Sequence, residues 1–169
     1  MGIPFMPVRG ILGSDYLKVQ PRFKVIRCPF TSYEIAVVQA IKPDYTVIHA
    51  SKADSKGNVL IQRQSDVDLA VEASKVAIAT VEEIVEEGKL APDENSRLMS
   101  WINFHVIVHA PHGAHPTGCQ GYYPVDSEHV KRYIEMSVSK ELFENYLQKY
   151  VFSPTDQTEY MKLVRDEKL

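Results

Sequence analysis

Only two cysteines, Cys28 and Cys119, occur in the 169 residues. That is too few for a disulfide framework and points to the reduced thiols of a cytoplasmic protein. No apolar run is long enough to cross a bilayer. Met1-Gly2-Ile3-Pro4 has neither the charged start nor the apolar stretch of a secretory signal. Excess charge is scarce too: 19 basic against 22 acidic side chains leave a net −3, which argues against a general nucleic-acid binder. There is no HExxH and no cysteine pair at metal-ligand spacing. Internal repeats and low-complexity tracts are absent. The expectation is a soluble, cytoplasmic chain with no membrane and no nucleic-acid partner.

What is present is enough apolar residue, 44% of the chain, for the core of one ordinary domain over 1–169. Charge is uneven along it. Before Glu34 stand Arg9, Lys18, Arg22, Lys24 and Arg27 against Asp15 alone, either a solvated face or a surface for an anionic ligand or acidic partner.

The first 22 residues hold Pro4, Pro7, Pro21, Gly10 and Gly13, so an extended, turning path is expected there. Strands are predicted at Phe23 to Cys28, Ile35 to Val38, Tyr45 to Ala50, Val59 to Gln62, Val76 to Val81 and Phe104 to His109. Ser65 is the expected cap of a helix carrying Val67, Ala70 and Val71 on one face. After Val81 the run Glu82-Glu83-Ile84-Val85 reads as a short acidic helix ended by Gly88, and Leu90 to Ser100 as loop or short helix. From Asp126 to Leu169 the pattern is helical, with starts at Asp126 or Ser127, at Ser139 and at Pro154-Thr155-Asp156. Strands that end in small polar loops suggest an α/β body whose working edge lies beyond the strand ends.

The stretch Lys52-Ala53-Asp54-x-x-Gly57-Asn58-Val59, followed by Thr80-Val81-Glu82-Glu83-Ile84-Val85, resembles the alpha-type subunits of the family I coenzyme A transferases. Gly2-Ile3-Pro4-Phe5-Met6-Pro7, Leu12-Gly13-Ser14 and Ala110-Pro111-x-Gly113-Ala114-His115-Pro116 narrow the resemblance to the alpha-type branch of the glutaconate CoA-transferases. Family subunits are longer, and the residues here resemble roughly their second half. The resemblance implies an α/β fold with a mostly parallel sheet of the CoA-transferase superfamily type and a helical C-terminal part. It also implies a heteromeric enzyme that moves CoA from an acyl-CoA to a carboxylic acid, partnered by a CoA-transferase beta subunit. In that family the nucleophilic glutamate belongs to the beta subunit, so no catalytic residue is expected in this chain. Coenzyme A would be substrate, and no cofactor or metal is implied.

Candidate binding residues follow from the loops. Lys52 and Asn58 flank the loop after a strong strand, near a site or in a turn braced by Asp54. Gly113 lies in a small-residue loop whose N–H groups could cradle an anion, or which simply turns tightly; His115 is its best polar contact. Arg9 stands where a ring-opening acyl-CoA hydrolase branch of the same superfamily carries arginine, and Arg9 with Ser14 could meet substrate carboxylate. Glu82 and Glu83 read as helix-start acids favoured by the dipole. His105, His109, His112 and His115 with Cys119 form a rival metal reading, but without a recognisable four-ligand set; His105 and His109 read as strand histidines bonded to backbone. The competing functions are a subunit of a ring-opening 3-oxoacyl-CoA hydrolase and a non-catalytic docking module.

Overall fold

The computed structural model describes residues 2–63 and 66–166, so the expected helix cap Ser65 lies outside the described residues. The chain divides into two compact units, Met1–Pro43 and Asp44–Leu169. In the first, β1 (Phe5–Val8), the single-turn α1 (Tyr16–Val19), β2 (Phe23–Arg27) and β3 (Glu34–Gln39) follow in order. The three strands form an antiparallel sheet with β3 central. The proline-rich start therefore holds a strand. Pro7 is tolerated because β1 is an edge strand with a single neighbour.

The second unit begins with β4 (Tyr45–Asp54), β5 (Val59–Gln62), α2 (Val67–Ala73), β6 (Val76–Val85), β7 (Ser96–Met99) and β8 (Val106–His109). Their sheet runs β7-β5-β4-β6-β8. The centre is parallel, β4 with β6 and β6 with β8, while β5 and β7 add antiparallel strands on one side. Ile48 and Ala50 of β4 and Ala77, Ala79 and Val81 of β6 face one way and pack with Val71 of α2, Val59, Ile61 and Met99. The small alanines let α2 lie close to the sheet.

Two sequence expectations are corrected. Glu82-Glu83-Ile84-Val85 is not a helix: β6 runs unbroken to Val85, and Lys52↔Glu83, Ala53↔Ile84 and Asp54↔Val85 stay in parallel register with β4. The acids are tolerated in a central strand because β4 supplies His49 and Lys52 as their partners. Leu90 to Ser100 is not simply loop either, since Ser96–Met99 pairs with β5.

The turn between β4 and β5 is held by Asp54, which is 4% exposed. Its carboxylate accepts from the Lys56 N–H at 3.1 Å, the Asn58 N–H at 2.9 Å and the Asn58 side-chain amide at 2.8 Å. Gly57 sits at φ 101° with the Trp101 side chain against it, a conformation that favours glycine. Burial alone would raise the Asp54 pKa, but these hydrogen bonds outweigh it and hold the carboxyl below its usual range.

Three helices complete the unit: α3 (Ser127–Met136), α4 (Lys140–Leu147), continued by a π-helical turn over Gln148–Phe152, and α5 (Gln157–Asp166). Asp126 caps α3 by accepting from the His129 N–H, and Ser139 caps α4 by accepting from the Leu142 N–H. Tyr146, Tyr150 and Val164 are buried between them. No described helix is long and apolar enough to cross a membrane. On the sheet face away from α2, Tyr45, Val47, Val106 and Val108 are 69%, 65%, 45% and 41% exposed, an open apolar strip of the kind parallel sheets normally cover.

Replacing Asp54 with Ala removes the acceptor for the whole turn. Urea unfolding should show a loss of about 1–3 kcal/mol, the cost of leaving its part-buried donors unmatched.

Candidate functional site

The parallel strands β4, β6 and β8 end at one edge of the sheet, where open α/β folds place ligands. There the loop 110–123 folds back over the strand ends. Beneath it sits Glu82, 7% exposed. Its Oε1 accepts from His49 Nε2 at 2.6 Å and from the Tyr123 hydroxyl at 2.6 Å, and its Oε2 accepts from the His112 N–H at 2.8 Å. The other nitrogen of His49 lies 2.8 Å from Thr80 Oγ1, its register partner. Burial pushes the Glu82 pKa up, but the hydrogen bonds from Tyr123, His112 and His49 outweigh it and hold the carboxyl below its usual range. Burial and the bond to Glu82 push the Tyr123 phenol well up, so Tyr123 donates and Glu82 accepts.

In the loop around Gly113 one backbone N–H, that of His112, meets an anion, and that anion is the chain's own Glu82. His112 spends its N–H on Glu82, Gly113 its N–H on Ala110 O, and Ala114 its N–H on the Tyr123 hydroxyl. Gly113 is required for contact: a Cβ there would meet Ala110 O at 2.7 Å and the His49 ring at 3.1 Å.

Beside this brace opens a cleft of about 740 Å³. Ala50, Leu60, Ile61 and Val67 supply apolar surface, and Lys52, Glu83 and Tyr122 a polar corner. Lys52 Nζ lies 2.6 Å from Glu83 Oε2, and the Tyr122 hydroxyl donates to the same oxygen at 3.1 Å. The hydrogen bond from Lys52, then that from Tyr122, lowers the Glu83 pKa, and the bond to Glu83 raises that of Lys52.

Of the candidates read from sequence, Lys52 and the loop around Gly113 come together at this edge. Asn58 does not line the cleft: its side chain bonds Asp54 and accepts from the Trp101 N–H at 3.0 Å. His115 points away, into a second cavity of about 410 Å³ lined by Tyr146, Tyr150 and Tyr160. It donates from Nε2 to Asp126 at 3.0 Å, and its Nδ1 lies 2.7 Å from the Tyr160 hydroxyl. Burial raises the Tyr160 pKa and keeps that hydroxyl protonated. Arg9 and Ser14 belong to the first unit, where both are exposed and the Ser14 hydroxyl donates to Ile11 O at 2.8 Å.

The rival metal set does not assemble as read from sequence. His105, just ahead of β8, accepts at Nδ1 from the Ala77 N–H, and His109 at the end of β8 donates from Nε2 to Glu82 O; both bond to backbone, as expected, though only His109 lies in the strand. The donor atoms that do converge, within 4.8 Å, belong to His49, Glu82 and Cys119. In that group Glu82 already has both oxygens engaged. Burial, then the nearby Glu82 charge, raises the Cys119 pKa and disfavours its thiolate. The sequence reading overlooked His49, Tyr122 and Tyr123. The one available signal was His49 standing among apolar residues of a strand, and only strand register shows that it meets Glu82.

A family model described as Coenzyme A transferase matches residues 1–109. The A-type subunit of the 3-oxoadipate CoA-transferase of Pseudomonas knackmussii is 38% identical over 99% of this chain and 59% of its own length. The crystal structure of glutaconate coenzyme A-transferase from Acidaminococcus fermentans superposes with a TM-score of 0.84 at 29% identity, covering 95% of this chain and 56% of that one. A variant of the decarboxylase AibA/AibB superposes with a TM-score of 0.69 at 34% identity, covering 86% of this chain and 54% of that one. The chain thus spans a little over half the length of these relatives.

Glu82→Gln removes the buried charge that three donors address. At neutral pH the variant should be less stable by about 1–3 kcal/mol. Because the folded pKa of Glu82 is depressed, its contribution is complete above the ordinary glutamate value of about 4.3 and disappears as pH falls through the folded value. The stability gap between wild type and Glu82→Gln, read by urea unfolding at stepped pH, should therefore narrow on acidification below that point. Gly113→Ala should lower the thermal midpoint whatever the pH, at a cost of about 1–3 kcal/mol for the overpacked contact with Ala110 and His49.

Proposed function

Because the chain belongs to the coenzyme A transferase family, we propose that it is the alpha-type share of a heteromeric, cytoplasmic CoA-transferase that works with a beta subunit. The enzyme would move CoA from an acyl-CoA to a free carboxylic acid, both bound as substrates. In this reading the beta subunit supplies a glutamate whose oxygen attacks the thioester carbonyl. The C–S bond breaks, CoA leaves as thiolate and an acyl-glutamyl anhydride forms. The thiolate then attacks the glutamyl carbonyl, the first acid departs as carboxylate, and CoA stays on the enzyme as a glutamyl thioester. The acceptor carboxylate reverses these steps and leaves as the new acyl-CoA. The chemistry calls for no metal or redox cofactor.

The observation that carries this reading is the state of the two carboxylates at the strand ends. Glu82 has both oxygens committed beneath the loop, and Glu83 is held by Lys52 and Tyr122. Among the described residues this edge offers a walled cleft but no unengaged glutamate, which supports an attacking group delivered by a partner. The exposed apolar strip of Tyr45, Val47, Val106 and Val108 supports a chain that buries further surface in an assembly.

The test is co-expression with a candidate beta subunit, incubation with acyl-CoA, and mass spectrometry of the tryptic peptides. A CoA adduct on a partner glutamate, together with no exchange by the chain alone, is the expected result. Exchange catalysed by the isolated chain would sink the proposal. Hydrolysis of the thioester without transfer to any acceptor acid would support the ring-opening hydrolase instead.

A further inference from the structure

The sheet of the second unit is unfinished in two places. Val71 of α2 packs on one face, and the opposite face is bare. There strand register sets Val47 of β4, Ile78 of β6 and Val106 of β8 side by side. Tyr45 and Val108 flank that row, and none of the five side chains carries a charge. Apart from Ile78, all of them are exposed. Parallel sheets are normally covered on both faces.

The second opening is an edge of β4. β6 runs beside β4 from Tyr45 to Asp54, whereas β5 pairs with it only at Lys52 and Ala53. Asp44 O accepts from the Val76 N–H on the β6 side. Alternation along the strand then turns the backbone groups of Tyr45, Val47 and His49 the other way. Among the described residues no strand lies beside that edge at residues 45–50. An unpaired edge is a template for an added strand. A parallel strand joins a sheet through a crossover, usually a helix that lies on one face. One strand–helix segment would therefore close both openings.

A second copy of this chain would not close both. Stacked face to face it leaves the edge open, and paired edge to edge it leaves the face open. Chain length points to another occupant. The chain covers 59% of the 3-oxoadipate relative and 56% of the glutaconate structure, leaving about two-fifths of each without a counterpart here. We propose that the β4 edge and the bare face seat a strand and helix equivalent to that unmatched part, carried by the same polypeptide or by a separate one. The strand would pair along Tyr45, Val47 and His49. The helix would lay an uncharged, apolar stripe on Val47, Ile78 and Val106. No step of transfer chemistry is needed for this docking.

The test is photo-crosslinking of the protein in its native cells. A benzophenone side chain is installed at Val47 or at Val106, and at Glu72, exposed on α2, as the control. Mass spectrometry should place the Val47 and Val106 adducts in sequence that matches the part of the relatives absent here, with none there from Glu72. Whether that sequence continues this chain or belongs to another tells the two sources apart. Adducts in a second copy of this chain, adducts in a beta subunit, or no adduct from either position would each overturn the docking. A beta-subunit adduct would leave the transferase reading standing, so the two failures are distinguishable. A second measurement uses Val47→Lys. In the purified 169-residue chain its thermal midpoint should stay where it is, because the side chain there faces water. In the native assembly it should fall by at least about 5 °C, since a lysine would then be buried without a partner. An equal change in both preparations would mark Val47 as internal structure and sink the idea.

Discussion

The edge of the second unit depends on one buried charge. Glu82 occupies the point where β6 runs on past its last pairing with β8, and the loop that follows β8 is tied to it through the His112 N–H and the Tyr123 hydroxyl. An ionised carboxylate is costly to bury unless its oxygens are matched by donors. Here the donors come from β4, from the turn at His112 and from Tyr123, so the same bonds that make the charge tolerable also tie those segments together. The loop is then anchored at its other side by His115 to Asp126, the residue that caps α3. Strand ends, loop and C-terminal helices of this unit are thereby coupled through two carboxylates.

That coupling separates two neighbouring glutamates into different roles. Successive residues of a strand point to opposite faces, so Glu82 goes beneath the loop and Glu83 toward the cleft. Burial and three donors make the first a permanent brace. The second, about half exposed, pairs with Lys52 and Tyr122. Neither is an unengaged nucleophile, which is what an enzyme whose attacking group comes from another chain would leave on this side.

Much of the secondary structure was legible because its signals are local. The β-branched runs at Val59 to Gln62 and Tyr45 to Ala50, and the capping residues Asp126 and Ser139, mark their elements whatever the surroundings. Where the reading went astray, the deciding partner lay far away in sequence. A Glu-Glu pair after a strand looks like a helix start until His49 and Lys52 are placed beside it, more than 30 residues earlier in the chain. Ser96–Met99 has little strand pattern of its own and is a strand because β5 presents an edge to it. The loop at His112 to Pro116 was recognised as special by its glycine and proline. That the His112 amide serves an internal anion followed only from the distances.

The order of residues alone determined the family resemblance, the alternation of strands and helices and the helical C-terminal third, since these rest on periodicity, caps and contiguous motifs. Tertiary structure decided which polar side chains meet. It turned Asn58 into a turn brace and sent His115 to the helices. It also brought His49 to Glu82, and Lys52 and Tyr122 to Glu83. The physical reason is that such hydrogen bonds, about 3 Å or shorter, are set by strand register and loop return, and neither is written in any local stretch of the chain.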